Sequence, residues 1–189
     1  MPTRTTARDI LGTVSIAAPD PSWPDHFRTE RTRLFAFFGQ LAADLEHFGS
    51  TAVPNLKAKP IIDMMAPISA LPVSDELAHS LSKAGYAAVD AGFSKRAFYR
   101  FAGRDTRPAC HLHLIVAPSW PLKNELILRD WLIANPTLAR QYETLKIDLA
   151  RQFGDDMPRY TEGKGIFLRA AVDQARSAMG LAPETDWNE

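Results

Sequence analysis

Residues 13–17, Thr13-Val14-Ser15-Ile16-Ala17, alternate apolar and polar positions as a strand does, and the cluster Pro19-Asp20-Pro21-Ser22 interrupts them. A helix is predicted next. Pro24 suits its first turn, and Trp23, Phe27, Leu34, Phe38 and Leu41 recur on one face at helical spacing. Leu45-Glu46-His47-Phe48 reads as a short strand running into Gly49-Ser50-Thr51, and Ile61-Ile62-Asp63-Met64-Met65 as a central strand. Ser74, followed by Asp75 and Glu76, starts a helix whose buried stripe is Leu77, Leu81 and Ala84 and which stops at Gly85. Strands are expected over 86–89, 97–101 and 110–116, and helices over 122–134, 138–153 and 159–179, with Asn135-Pro136 and residues 154–158 as breaks and Gly180 as a stop. The pattern predicts an α+β fold: a mixed sheet with flanking helices, closed by a helical C-terminal third.

Composition narrows the class. At 189 residues the chain is read as one domain over 13–180, with a loose tail at 1–12 and another at 181–189. Its 22 Lys+Arg balance 22 Asp+Glu, so it lacks the basic footprint of a bulk nucleic-acid or anionic-membrane binder. The single cysteine, Cys110, has no internal partner and reads as a small buried apolar residue. With no apolar run long enough for a membrane helix and no signal-peptide core at its start, the chain is expected to be cytoplasmic.

The chemistry concentrates between His47 and Asp63. Glycine lets a ligand approach the backbone closely, so the N–H and hydroxyl groups of Ser50 and Thr51 after Gly49 are candidates to cradle a phosphate. Lys57 and Lys59 add positive charge, with Lys59 favoured because Pro60 fixes the chain at its entry into the strand. Asp63 is a candidate to hold Mg2+ against that phosphate. His47 either touches phosphate or holds the Gly-Ser turn. His111 and His113 share one strand face, opposite Leu112 and Leu114, and are candidate metal ligands beside Asp63 or contacts to a phosphate. These are the parts of phosphoryl or nucleotidyl transfer, but no P-loop sequence occurs. Lys95, Arg96, Tyr99 and Arg100 form a further basic and aromatic cluster whose default reading is a solvated loop.

The run His47-Phe48-Gly49-Ser50-Thr51-Ala52-Val53-Pro54-Asn55-Leu56-Lys57-Ala58-Lys59-Pro60-Ile61-Ile62-Asp63 resembles the signature of the GrpB family. Asp20-Pro21-Ser22-Trp23-Pro24 with Phe27 and Glu30, His111-Leu112-His113, and Leu128-Arg129-Asp130-Trp131-Leu132 resemble further blocks of that family. So do Tyr142, Lys146, Tyr160-Thr161 and Lys164, and the likeness covers residues 14–176. The resemblance implies a nucleotidyltransferase-like fold, a family some of whose members are fused to a dephospho-CoA kinase domain, and roles for Lys146 and Lys164 in binding a nucleotide. The superfamily pattern is a Gly-Ser turn followed on the next strand by Asp-x-Asp. Here Met65 stands at the second carboxylate, and Asn55 replaces the usual glycine.

Residues two apart on a strand face the same way, so Met65 leaves Asp63 as a lone carboxylate where two would hold a metal pair. The leading expectation is a protein that binds a nucleotide or phosphorylated small molecule with Mg2+ and transfers a nucleotidyl or phosphoryl group. Its catalytic residues would be Asp63, His111 and His113. The rival is a non-catalytic binding module that has lost part of the metal site.

Overall fold

The computed structural model describes residues 14–38, 44–116, 120 and 122–184. After helix α1 (Trp23–Phe38), strand β1 (Glu46–Phe48) runs into a short 3-10 helix (Ser50–Ala52) and strand β2 (Ile61–Pro67). Helix α2 (Asp75–Lys83) precedes three strands: β3 (Ala87–Val89), β4 (Arg96–Phe101) and β5 (Ala109–Ile115). Three helices then follow, α3 (Asn124–Ala134), α4 (Pro136–Phe153) and α5 (Met157–Ala178). The strands form one sheet in the order β1-β2-β5-β4-β3, with β2 and β5 parallel and the other pairs antiparallel. The fold is therefore the α+β arrangement expected. Among the described residues, no helix is long and apolar enough to cross a membrane.

Alternation along the strands gives the sheet two unlike faces. Ile62, Met64 and Ala66 of β2, with Cys110, Leu112 and Leu114 of β5, face α1 and α2 and pack with Trp23, Leu34 and Leu81. On the opposite face Phe48, Asp63, His111 and Arg100 form one cross-strand row, through the pairs Phe48↔Asp63, Asp63↔His111 and Arg100↔His111. The C-terminal helices lie over this second face, where Phe48, Met65 and Ile115 pack with Leu126 of α3. A polar row facing helices rather than water requires partners or a ligand.

The helix signals act as local chemistry predicts. Ser74 caps α2 by accepting the Leu77 N–H at 3.3 Å, and Asp156 caps α5 by accepting the Arg159 N–H at 3.2 Å. Expected to begin at 159, α5 starts at Met157, because Pro158 in the first turn lacks only an N–H that no helix bond would use. The strand expected over 13–17 is not one: Ala17 makes an isolated bridge with Ala58, while Val14 N–H donates to Gly154 C=O at 2.8 Å. Leu41 and the tail at 1–12 lie outside the described residues. Residues 181–184, assigned by sequence to a loose tail, are held where Arg176 donates to Ala182 C=O at 2.7 Å and Asn124 donates to Glu184 at 2.9 Å.

Glu30, matched by sequence to the opening block, is buried far from the polar row. It accepts from Tyr86 OH at 2.9 Å and from the Arg107 Nε at 2.9 Å, a paired charge that ties α1 to the loops around β3 and β5.

Candidate functional site

A cavity of about 1030 Å³ opens between the polar sheet face and helices α3, α4 and α5. Gly49, Ser50, Lys59, Asp63, His111, His113, Lys146 and Lys164 all line it. Seven of these are polar or charged residues drawn from four separate segments.

The Gly-Ser turn is shaped for close approach. Gly49 has φ 72° and ψ −169°, and a Cβ there would lie 2.6 Å from Asp63 Oδ2. Only glycine brings the turn this near the carboxylate. Asn55, at the family's glycine position, has φ 61°, a conformation that asparagine adopts more readily than other side chains. The exchange is conservative for that reason.

Three ammonium groups converge on the cavity. Lys146 Nζ donates to Ser50 Oγ at 2.9 Å and to the Lys57 carbonyl at 2.5 Å, and lies 4.7 Å from the centre of the Tyr142 ring. Lys164 Nζ and Lys59 Nζ sit 4.5 and 6.0 Å from the centre of the Tyr160 ring. Burial, then the charge of Lys164, push Lys146 down to about 7. Burial, then Lys59, push Lys164 down to about 8, and burial lowers Lys59 as well. Among these groups Asp63 is the counter-charge: it draws the Lys59 and Lys164 values back up. Burial would raise Asp63, but the hydrogen bond from His111 and the neighbouring positive groups outweigh it, so the carboxyl stays below its ordinary value.

Asp63 and His111 are joined to each other. Asp63 Oδ1 lies 3.0 Å from His111 Nδ1, and His111 Nε2 is buried with no hydrogen-bond partner among the described residues. His113 is different. Phe98 stacks on it at 4.7 Å, Phe48 and Phe93 meet it edge-on, and Arg96 approaches Nδ1 at 3.5 Å. Burial and the Arg96 charge push His113 down to about 3, so it is neutral.

For the metal expectation at Asp63, His111 and His113, the structure shows how these side chains are engaged. Among the described residues, no three His, Cys, Asp or Glu side chains group to hold a metal ion. One oxygen of Asp63 is spent on His111, the other rests against Gly49, and His113 is enclosed by rings. Met65, fully buried, packs with Phe48 and Ile115 instead of supplying a second carboxylate. Asp63 could supply one ligand to an ion held mainly by phosphate oxygens and water, but these side chains do not form an all-protein magnesium cage.

Three more expected contacts are placed elsewhere. His47 lies on the far face of the sheet, stacked 4.9 Å from the Phe27 ring, with Nε2 3.0 Å from Thr51 Oγ1. Thr51 Oγ1 donates to Ile61 C=O at 3.0 Å, so it accepts from His47 Nε2–H, and both side chains lock the turn rather than face the cavity. Burial pushes His47 down to about 4. The Lys57 ammonium pairs with Glu143 at 3.6 Å, away from the cavity, and only its carbonyl reaches Lys146.

An aromatic wall was missed by the sequence reading. Phe48, Phe93 and Phe98 line the cavity and enclose His113, and the alternation of Phe98 and Arg100 with Ala97, Tyr99 and Phe101 is a trace of it in the sequence. Arg129 also lines the cavity, but it is committed, donating to Glu46 at 2.7 Å and to His47 C=O at 2.8 Å.

The family described as GrpB protein matches residues 13–174. Glutamate-rich protein GrpB of Alkalihalophilus pseudofirmus is 30% identical over 170 residues, covering 86% of this chain and 96% of that one. A dephospho-CoA kinase of Mycobacterium tuberculosis is 32% identical over 180 residues, covering 82% of this chain. The chain spans less than half of that kinase, 44%, and 47% of the UPF0157 protein YqkA of Bacillus subtilis. The crystal structure of conserved protein GrpB from Enterococcus faecalis superposes with a TM-score of 0.76 at 28% identity, covering 88% of this chain and 99% of that one. With a family match across most of its length and a shared fold, the chain belongs to the GrpB family.

Proposed function

We propose that this chain is a nucleotidyltransferase-like protein that binds a nucleotide or another phosphorylated small molecule in the cavity and transfers a nucleotidyl or phosphoryl group. One observation carries the reading: Lys59, Lys146 and Lys164 line one cavity with Asp63, while two of the other acidic residues of that lining are engaged elsewhere, Glu125 with Arg96 and Asp156 in capping α5. Burial first, and then the charge of Lys164 on Lys146 and of Lys59 on Lys164, lowers the proton affinity of these groups, so a bound polyanion would favour their charged forms. Ser50 and the backbone of its turn complete the phosphate end. The aromatic end, Phe93 and Phe98, suits a planar ring. Mg2+ enters this reading as a passenger on the ligand's phosphates and not as a resident of the protein.

The test is a thermal-shift panel of pyrophosphate and of nucleoside mono-, di- and triphosphates, with and without Mg2+. A ligand at 100 times its Kd adds about 2.7 kcal/mol, or roughly 5–10 °C for a chain of this size. An unmoved midpoint with every phosphate compound overturns the reading.

The second reading, a binding module without turnover, is favoured by Met65, which removes the second carboxylate of the superfamily pattern. Binding in the panel together with no product from any bound nucleotide supports it.

A further inference from the structure

We propose that the amine of Lys164 captures a phosphorylated aldehyde or ketone as an imine inside the cavity. The proposal rests on the phosphate reading above and names a substrate class for that site. Tyr160, Lys164 and Leu168, spaced four apart along α5, all line the cavity, so one face of the helix aims the Lys164 side chain into it. Gly163, beside it, lets α5 pack close to α4: a Cβ there would lie 2.5 Å from Leu149 Cδ2.

The three cavity lysines are not equivalent. Lys146 spends two donors on Ser50 Oγ and the Lys57 carbonyl, and Lys59 Nζ reaches Met157 Sδ at 3.9 Å. Lys164 has neither a hydrogen bond nor an ion pair among the described residues, and its one contact is the Tyr160 ring at 4.5 Å. Unlike His111 Nε2, its Nζ is not an enclosed unpaired atom, so it is open to the cavity. A lysine lowered by burial and by a neighbouring cation is the form of the side chain that reacts with carbonyl groups. Burial and then Lys59 lower Lys164 to about 8, so at pH 7.5 roughly a quarter of it is neutral, against about one in a thousand for a lysine at its ordinary value.

The step needs no further reactant. The neutral Nζ attacks the carbonyl carbon, the carbon–nitrogen bond forms, and the carbonyl oxygen leaves as water with both amine protons. The imine takes a proton from solvent, and Asp63, the anion that favours charge on Lys164, favours charge on the imine nitrogen as well. Lys59, against the same Tyr160 ring at 6.0 Å, and Lys146 remain to hold the phosphate of the captured molecule. A carbonyl compound without a phosphate meets the same amine with no anchor.

The experiment uses the full chain with pyridoxal 5′-phosphate as probe and pyridoxal as its phosphate-free control, each adduct reduced with borohydride and located by peptide mass spectrometry. The adduct is expected at Lys164. Pyrophosphate at 100 times its Kd should slow that labelling about 100-fold, and pyridoxal should label Lys164 no faster than the other lysines. Lys164→Arg keeps a charged group without a nucleophilic amine, so it should lose the adduct and still bind pyrophosphate by calorimetry. An adduct spread over the other lysines, or one on Lys59 or Lys146 in place of Lys164, overturns the proposal. Labelling of the parent chain needs no variant and decides even if Lys164→Arg does not fold. Pyrophosphate binding without an adduct at Lys164 sinks the imine alone. Lys164 labelled equally by both probes and unprotected by pyrophosphate sinks the phosphate reading with it.

Discussion

Lys146 Nζ lies 2.9 Å from Ser50 Oγ, a contact between residues 96 positions apart that brings helix α4 onto the Gly-Ser turn. The same ammonium donates to the Lys57 carbonyl, so one side chain ties both ends of the turn segment. The contact thus serves the fold and the proposed phosphate end together, at the cost of burying a cation beside another cation.

Replacing Lys146 by Met separates these two roles. The change keeps volume and removes the repulsion with Lys164, but it also breaks the bonds to Ser50 and to the Lys57 carbonyl, so stability should fall by about 1–3 kcal/mol. Pyrophosphate affinity should fall by the worth of a charged hydrogen bond, about 1.5–3 kcal/mol, or roughly tenfold to a hundredfold. Calorimetry checks it, and unchanged affinity would remove Lys146 from the site.

Binding should take up protons. In the free chain Lys146 and Lys164 lie at about 7 and about 8, and a bound polyanion favours their charged forms. Affinity should therefore weaken as pH rises from about 7 to 9, where the free lysines have lost their protons. Calorimetry in buffers of different ionisation enthalpy counts the protons. A count of zero at pH 7.5 contradicts the crowded-lysine picture.

Gly49→Ala should destabilise the chain and disturb the polar row together. The backbone at φ 72° and ψ −169° is open essentially to glycine alone, a strain of about 1–3 kcal/mol for any other residue. The new Cβ would also meet Asp63 Oδ2. Urea unfolding should show the loss, and the His111 imidazole resonances should shift as Asp63 is displaced. A variant with parental stability and spectra would mean the turn is looser than described.

Stability should drop in mild acid because two histidines are held neutral. Burial pushes His47 to about 4, and burial with Arg96 pushes His113 to about 3, against 6.5 in the unfolded chain. Between those values the unfolded state binds more protons, so stability falls as pH is lowered through about 6.5 towards 3 and stops falling from this cause below it. The cavity lysines act in the opposite window. Their unfolded forms hold protons up to about 10.4, so the ligand-free chain should gain stability as pH rises above about 7. Denaturant midpoints across pH 4–9 check both arms, and a flat profile would contradict the burial of these groups.

Much of the fold was legible along the chain because its signals are local. Ser74 with Asp75 and Glu76, Gly85, Pro136 and Gly180 mark helix ends by their own backbone chemistry, and the alternation around His111 and His113 assigns their face to within one strand. Where two such signals competed, the local reading erred by two residues, as at Pro158.

The amino-acid sequence by itself determined the α+β class, the Gly49-Ser50 turn, the strand carrying Asp63, and the common face of His111 and His113. Only the tertiary structure decided which charges meet. Lys57 and Lys59 are two residues apart, yet one turns to Glu143 and the other to the cavity, while Lys146 and Lys164 arrive from helices about a hundred residues away. It likewise spent Asp63 on His111 and moved His47 and Thr51 to the far face. Spacing along a chain specifies the direction of a side chain relative to its own element. Which partner waits in that direction depends on sheet register and helix packing, and these are settled by burying the apolar faces of distant segments against one another.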